Sequence, residues 1–303
     1  MKRFCFLIMP ILAMSIQAAP VQPDSQLFAQ VQHYFAIPDE FSATLEFDTW
    51  ATQGTVQSAR FRFKSLDNGY ATGTAVRPVG EGPYPMLLVL YGLSHVPVYS
   101  LNPGINLVSQ APVVYVALDP PHQRNDREFD TAPGSLRYTA DLDVKEQIQV
   151  IRDLRTALSL FSAQQYVDKT ALAFYGYSYG AAMGGILAAV EPRLNAVILA
   201  SGTGGRATRN TSDPMYAIDP IHFVMHIPDM PILLQNGEND QNIDREAALL
   251  FQQTVSSSQK VMIMRPVGHM LSCDLTREAL QWLGMYITLG DVSNYNCSRL
   301  PIL

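Results

Sequence analysis

Six apolar runs of strand length, set apart by turns and helical patterns, constrain this chain more than any other feature. They are Met86–Tyr91, Val113–Leu118, Thr170–Tyr175, Ala196–Ala200, Pro231–Gln235 and Lys260–Met264. A strand with one wet face alternates apolar and polar residues, so an unbroken apolar strand expects cover on both faces. The covering helices are legible too. Thr139–Gln164 puts Val144, Ile148, Ile151, Leu154, Leu158 and Phe161 on one stripe, with charges between them. Asp244–Ser256 and Thr276–Thr288 have similar periodicity. Strand and helix in alternation predict an α/β chain with a mostly parallel central sheet and helices on both faces. Ser58–Lys64 and Tyr70–Arg77 flank Asp67-Asn68-Gly69, a hairpin signal that predicts antiparallel strands at the N-terminal edge. Residues 20–40 predict a short helix carrying Leu27, Val31, Tyr34 and Phe35 and ended by Ile37-Pro38. No internal repeat or interdomain linker interrupts 19–303, so one domain is expected there.

The first residues read differently. Lys2-Arg3 precede an apolar stretch from Phe4 to Ile16, and Gln17-Ala18-Ala19-Pro20 follow. Basic residues, a short apolar run and small residues make a secretory leader, with 1–18 expected to be removed. The run is too short to span a bilayer, so no stable membrane insertion is expected after cleavage. An exported protein, periplasmic or secreted, keeps Cys273 and Cys297, which an oxidising compartment favours as a disulfide. The formal charge of −6, without basic clusters, excludes nucleic acid as a natural ligand. The sequence sets no oligomeric state.

The third apolar run leads into Gly176-Tyr177-Ser178-Tyr179-Gly180, and a small-residue helical stretch follows to Val190. Strand, sharp turn and helix are the setting in which a G-x-S-x-G pentapeptide exposes a nucleophilic serine. Its Gly residues leave room for crossing backbone. A serine hydroxyl needs a base, and the base needs an orienting acid. Both follow later strands in the expected order. Pro231–Gln235 runs into Asn236-Gly237-Glu238-Asn239-Asp240, and Lys260–Met264 runs into Arg265-Pro266-Val267-Gly268-His269. Asp240 is the candidate acid, with Glu238 and Asp244 as alternatives; Asp244 is better placed to cap the next helix. His269 is the candidate base among six histidines. His33 and His122 are expected on the surface. His222 and His226 are four apart, but with no carboxylate or third histidine nearby they predict no metal site.

Gly237-x-x-Asp240-x-x-Ile243 and Gly268-His269 resemble the acid and histidine motifs of α/β-hydrolases, on the dienelactone hydrolase and acetyl xylan esterase side of that superfamily. Asp119-Pro120 and Val167-Asp168 fit as well, and the resemblance runs from about Phe61 to Leu289. It implies an α/β-hydrolase fold with Ser178 as nucleophile, Asp240 as triad acid and His269 as general base. It also implies an oxyanion hole from the backbone N–H groups of Tyr179 and Leu93. Where relatives often have His-Gly before that loop, this chain has Tyr91-Gly92.

Three loops should wall the site: 93–106, with His95 and Tyr99 as candidate substrate-binding residues; 119–138, with Arg124, Asp126, Arg127, Glu128 and Asp130, read as a solvated surface; and 201–227. The third is too short for a large lid. The expected function is a serine carboxylic-ester hydrolase acting through an acyl-enzyme on small or polymer-linked esters. A peptidase or amidase on the same triad and a non-catalytic binding scaffold are the alternatives. No cofactor is expected, because nucleophile and base suffice for the chemistry.

Overall fold

The computed structural model describes residues 21–66, 69–93, 100–124, 140–204, 214–269 and 272–296, with backbone alone at 140–143 and 214. The strands are β1 (Glu46–Phe47), β2 (Ala51–Gln53), β3 (Val56–Lys64), β4 (Tyr70–Pro78), β5 (Tyr84–Leu90), β6 (Val114–Leu118), β7 (Val167–Tyr177), β8 (Ala196–Ala200), β9 (Ile232–Gly237) and β10 (Lys260–Arg265). The helices are α1 (Ser25–Val31), α2 (Leu101–Val108), α3 (Ala140–Ser162), α4 (Tyr179–Val190), α5 (Pro214–Ala217), α6 (Ile221–Val224), α7 (Arg245–Thr254) and α8 (Cys273–Leu283).

All ten strands join one sheet, in the order β1-β3-β4-β6-β5-β7-β8-β9-β10, with β2 also paired to β3. The front four strands pair antiparallel, as does β4 with β6, and every pairing from β6 through β10 is parallel. The predicted hairpin is the β3–β4 pair; Asp67 and Asn68 of its turn lie outside the described residues. From β5 the chain moves outward to β6, then crosses back to β7 on the other side of β5. That reversal is a topological switch point, where loops diverge and leave a crevice at the carboxyl ends of the strands.

Alternation along each buried strand feeds two cores. Met86, Leu88 and Leu90 of β5 face one side with Phe161, Phe174 and Phe251. Leu87 and Val89 face the other with Tyr115, Ile198 and Trp282. The last strand departs from expectation. None of its residues is buried, and Met262 is 48% exposed. An apolar run signals burial only where sheet neighbours lie on both sides, and β10 pairs with β9 alone.

Two other expectations need correction. Segment 93–106 carries α2 in its second half, although Asn102, Pro103 and Gly104 read as loop; Pro103 is tolerated because it falls in the first turn. The 119–138 loop is not wholly a solvated surface, because α3 offers Arg124 a buried partner. Glu146, Gln149 and Asp153 are buried at spacings of three and four, and Asp153 binds Arg124 Nη1 at 2.6 Å and Ser65 Oγ at 2.7 Å. Arg124 is therefore a buried anchor of its loop, whereas Asp126, Arg127, Glu128 and Asp130 lie outside the described residues.

His222 and His226 help dock the N-terminal helix. Asp24 caps α1 through its side chain and donates its own N–H to His222 Nδ1 at 2.9 Å, while His226 stacks on Phe28. Contrary to the sequence expectation, carboxylates are near: Asp219 and Asp24 both act on His222, though burial outweighs them and lowers its pKa. The unfolded chain therefore binds a proton at His222 more readily than the folded chain does. Stability should fall as pH drops through about 6.5, the ordinary histidine value. Thermal melts at stepped pH should show this slope. His222→Asn, whose Oδ1 accepts from Asp24 but does not protonate, should flatten it; an unchanged slope would refute the assignment.

Candidate active site

The switch point brings three loops together. Leu90 of β5 is in register with Gly176 of β7, so the segment after β5 passes directly beside the turn after β7. Ser178 occupies that turn at φ 54°, ψ −113°, a conformation L residues rarely adopt. Strain of this kind persists only where the surroundings impose it. Here Ser178 N–H donates to Ala200 O at 2.8 Å and Gly180 N–H donates to Tyr91 O at 3.1 Å, stitching the turn to both neighbouring strands. A Cβ on Gly180 would come 1.8 Å from Leu90 O, and one on Gly176 would come 2.2 Å from Gly180 O. Only glycine fits at either position.

Asp240 and His269 follow the ends of β9 and β10. Asn239 N–H bonds Val267 O at 3.0 Å and Glu238 N–H bonds Arg265 O at 2.7 Å, so the two loops are tied together. His269 Nδ1 lies 2.8 Å from Asp240 Oδ2, and its Nε2 lies 2.9 Å from Ser178 Oγ. The Asp240 side chain is 2% exposed. Its Oδ1 accepts from the N–H groups of Asn242 and Ile243 at 2.8 and 3.0 Å, which fixes the rotamer and leaves Oδ2 for the imidazole. With a carboxylate at Nδ1, the neutral ring carries its proton there and offers Nε2 as an acceptor to the serine. Of the alternative acids, Glu238 is exposed, and Asp244 caps α7 through Ala247 N–H at 2.9 Å.

Residues that sequence reasoning passed over hold this arrangement. The carbonyl of His269 accepts from Ser201 Oγ at 2.8 Å and Tyr177 OH at 3.0 Å. Burial foremost, and then the nearby Asp240 charge, push the Tyr177 phenol up to about 12, so it stays a donor. Ser201 sits at φ 51°, a second non-glycine residue in the left-handed region. The G-x-S-x-G pattern flagged Tyr177 only as a variable position, and nothing local marks Ser201.

Leu93 and Tyr179 flank the nucleophile. A Cβ on Gly92 would lie 3.3 Å from Ser178 Cβ, and α4 begins at Tyr179. The Leu93 carbonyl accepts from His122 Nε2 and Gln123 Nε2, each at 2.9 Å. His122 was expected on the surface; it is buried instead, because β6 ends against the site and its next turn, Pro121–Gln123, points inward. His33 is exposed. Tyr99 and His95 lie outside the described residues, as does Cys297 of the expected disulfide; Cys273 opens α8. Among the described residues no cluster of three or more His, Cys, Asp or Glu is arranged to hold a metal ion.

A mostly parallel sheet with a serine at a strained strand-to-helix turn defines an α/β-hydrolase. The family model of the dienelactone hydrolase family matches residues 108–271, and the chain belongs to that family, which places it among the carboxylesterase-type hydrolases. Solved structures share the fold at low identity. Acetyl xylan esterase 1 from Thermoanaerobacterium sp. JW/SL YS485 superposes with a TM-score of 0.69 at 16% identity, over 88% of this chain and 94% of that one. The acetyl xylan esterase from Paenibacillus sp. R4 gives 0.68 at 15% identity, over 86% and 99%. A cold-adapted esterase from an Arctic intertidal metagenomic library gives 0.64 at 15% identity, over 80% and 100%. A search of curated proteins finds no match.

Proposed function

We propose that the protein is an exported serine carboxylic-ester hydrolase acting through an acyl-enzyme, with Ser178 as nucleophile, His269 as general base and Asp240 as orienting acid. The observation that carries this reading is the continuous hydrogen-bonded line from Asp240 through His269 to a serine held at positive φ. Ser178 Oγ attacks the ester carbonyl as His269 Nε2 takes its proton. The tetrahedral oxyanion is met by the N–H groups of Leu93 and Tyr179. Collapse expels the alcohol, protonated by His269, and leaves acylated Ser178. Water, deprotonated by the same histidine, attacks the acyl-enzyme and releases the acid.

Short or accessible acyl groups are the proposed substrates, on small molecules or on a polymer. Two observations support this. Between β8 and β9 the described residues hold only two four-residue helices, α5 and α6. The structural neighbours include two named for acetyl xylan. Export and a Cys273–Cys297 disulfide belong to the same proposal, supported by the leader-like residues 1–18 and by the oxidising compartment they imply. Residues 1–20 lie outside the described residues, within which no helix is long and apolar enough to cross a membrane.

A panel of 4-nitrophenyl esters from acetyl to dodecanoyl, run beside 4-nitroacetanilide, tests the reading. Turnover should be highest on the shortest acyl groups, with the anilide far slower. Equal rates on anilide and ester would favour an amidase, and no turnover of any ester by folded protein would refute the assignment.

A further inference from the structure

A buried polar cluster beside the nucleophile has no part in the proton transfers above. Glu146 projects from the inward face of α3, and His122 follows β6. His122 Nδ1 contacts Glu146 Oε1, and the same oxygen accepts from the hydroxyl of Tyr179 at 3.1 Å. On its other side, His122 Nε2 is 2.9 Å from the Leu93 carbonyl. A carbonyl only accepts, so Nε2 is the donor to Leu93, and Nδ1 faces the carboxyl group. The His122 ring also packs edge-on against the Tyr179 ring.

Leu93 and Tyr179 are the two residues whose N–H groups would face the oxyanion. One buried carboxyl group thus reaches both, directly through the Tyr179 hydroxyl and through His122 to the Leu93 carbonyl. His122 Nε2, with Gln123 Nε2 beside it, holds that carbonyl and so restrains the backbone torsion at Leu93 next to Ser178. Holding the phenol fixes the side chain of the first residue of α4.

We propose that His122 and Glu146 are positioning residues that preset the spacing of the two oxyanion donors. This rests on the serine-hydrolase reading above and adds a requirement to it. Donors misplaced by a fraction of an ångström stabilise the transition state less, and they need not weaken ground-state binding.

The test uses Glu146→Ala, His122→Ala, Glu146→Gln and Tyr179→Phe. Each variant is checked for folding by its thermal melt and assayed for kcat and KM on 4-nitrophenyl acetate and for the rate of phosphonylation by a fluorophosphonate. Complete loss of one donor typically costs about 10²–10³ in kcat, so the two alanine variants should lose about ten- to a hundredfold, with KM within about twofold of the parent. Phosphonylation should slow in parallel, because the phosphonyl oxygen occupies the same hole. Glu146→Gln keeps groups in reach of both partners and should recover most of the rate. Unchanged kcat in folded alanine variants would overturn the proposal, as would a raised KM with kcat intact. Should both alanine variants fail to fold, Tyr179→Phe decides, since it removes a single hydroxyl: a severalfold fall in kcat supports the proposal and an unchanged kcat overturns it. A parent protein that neither turns over esters nor takes the phosphonate would instead remove the underlying reading.

Discussion

Ser178→Ala is expected to lower kcat for ester hydrolysis by about 10⁶-fold, with little change in KM or in melting temperature. The fold should not register the change. Alanine keeps the Cβ, so the strain at φ 54° is the same, and the bonds that hold the turn come from the backbone of Ser178 and Gly180. What disappears is the atom 2.9 Å from His269 Nε2 that forms the acyl bond. Residual activity should reflect the oxyanion donors acting on bound water, as it does when other serine triads are dismantled. Parallel assays of ester turnover and thermal melting check this; a folded variant retaining more than a small fraction of the rate would mean another nucleophile.

Asp240→Asn should cost about 10⁴ in kcat near neutral pH. The local bonding says why an isosteric change is so severe. Oδ1 of Asp240 accepts two backbone N–H groups, from Asn242 and Ile243. An asparagine must keep its oxygen in that position, which puts its NH₂ group against His269 Nδ1. The imidazole then accepts at Nδ1 and carries its proton on Nε2, facing Ser178 with a donor where an acceptor is needed. Glu238→Gln and Asp244→Asn serve as controls in the same assay. A large loss in either control, with Asp240→Asn near parent activity, would move the acid to that residue.

Much of the fold is legible because burial on two faces leaves a plain mark. The five inner apolar runs coincide with β5 through β9, and the helical stripe from Val144 to Phe161 lies within α3. Termini shift by a few residues: the last helix starts at Cys273 behind the Ser272 cap, ahead of the Thr276 start that periodicity suggests. The short strands β1 and β2 carry no pattern over two and three residues. The site divides along a similar line. Ser178, Asp240 and His269 are legible because each stands at a fixed offset from a strand end. His122, Glu146, Ser201 and Tyr177 act through contacts between segments distant in sequence. Their one partial signal is the spacing of Glu146, Gln149 and Asp153 beside the apolar stripe, which reads equally well as a solvated helix face until α3 is docked.

Each step proposed for the site requires Ser178 to be an activated nucleophile. Intact-mass measurement of the parent and of Ser178→Ala after incubation with a fluorophosphonate tests it most directly. A single adduct is expected on the parent, mapped to the peptide containing Ser178, and none on the variant. A folded parent that takes no adduct, or a variant labelled as fast as the parent, would contradict it.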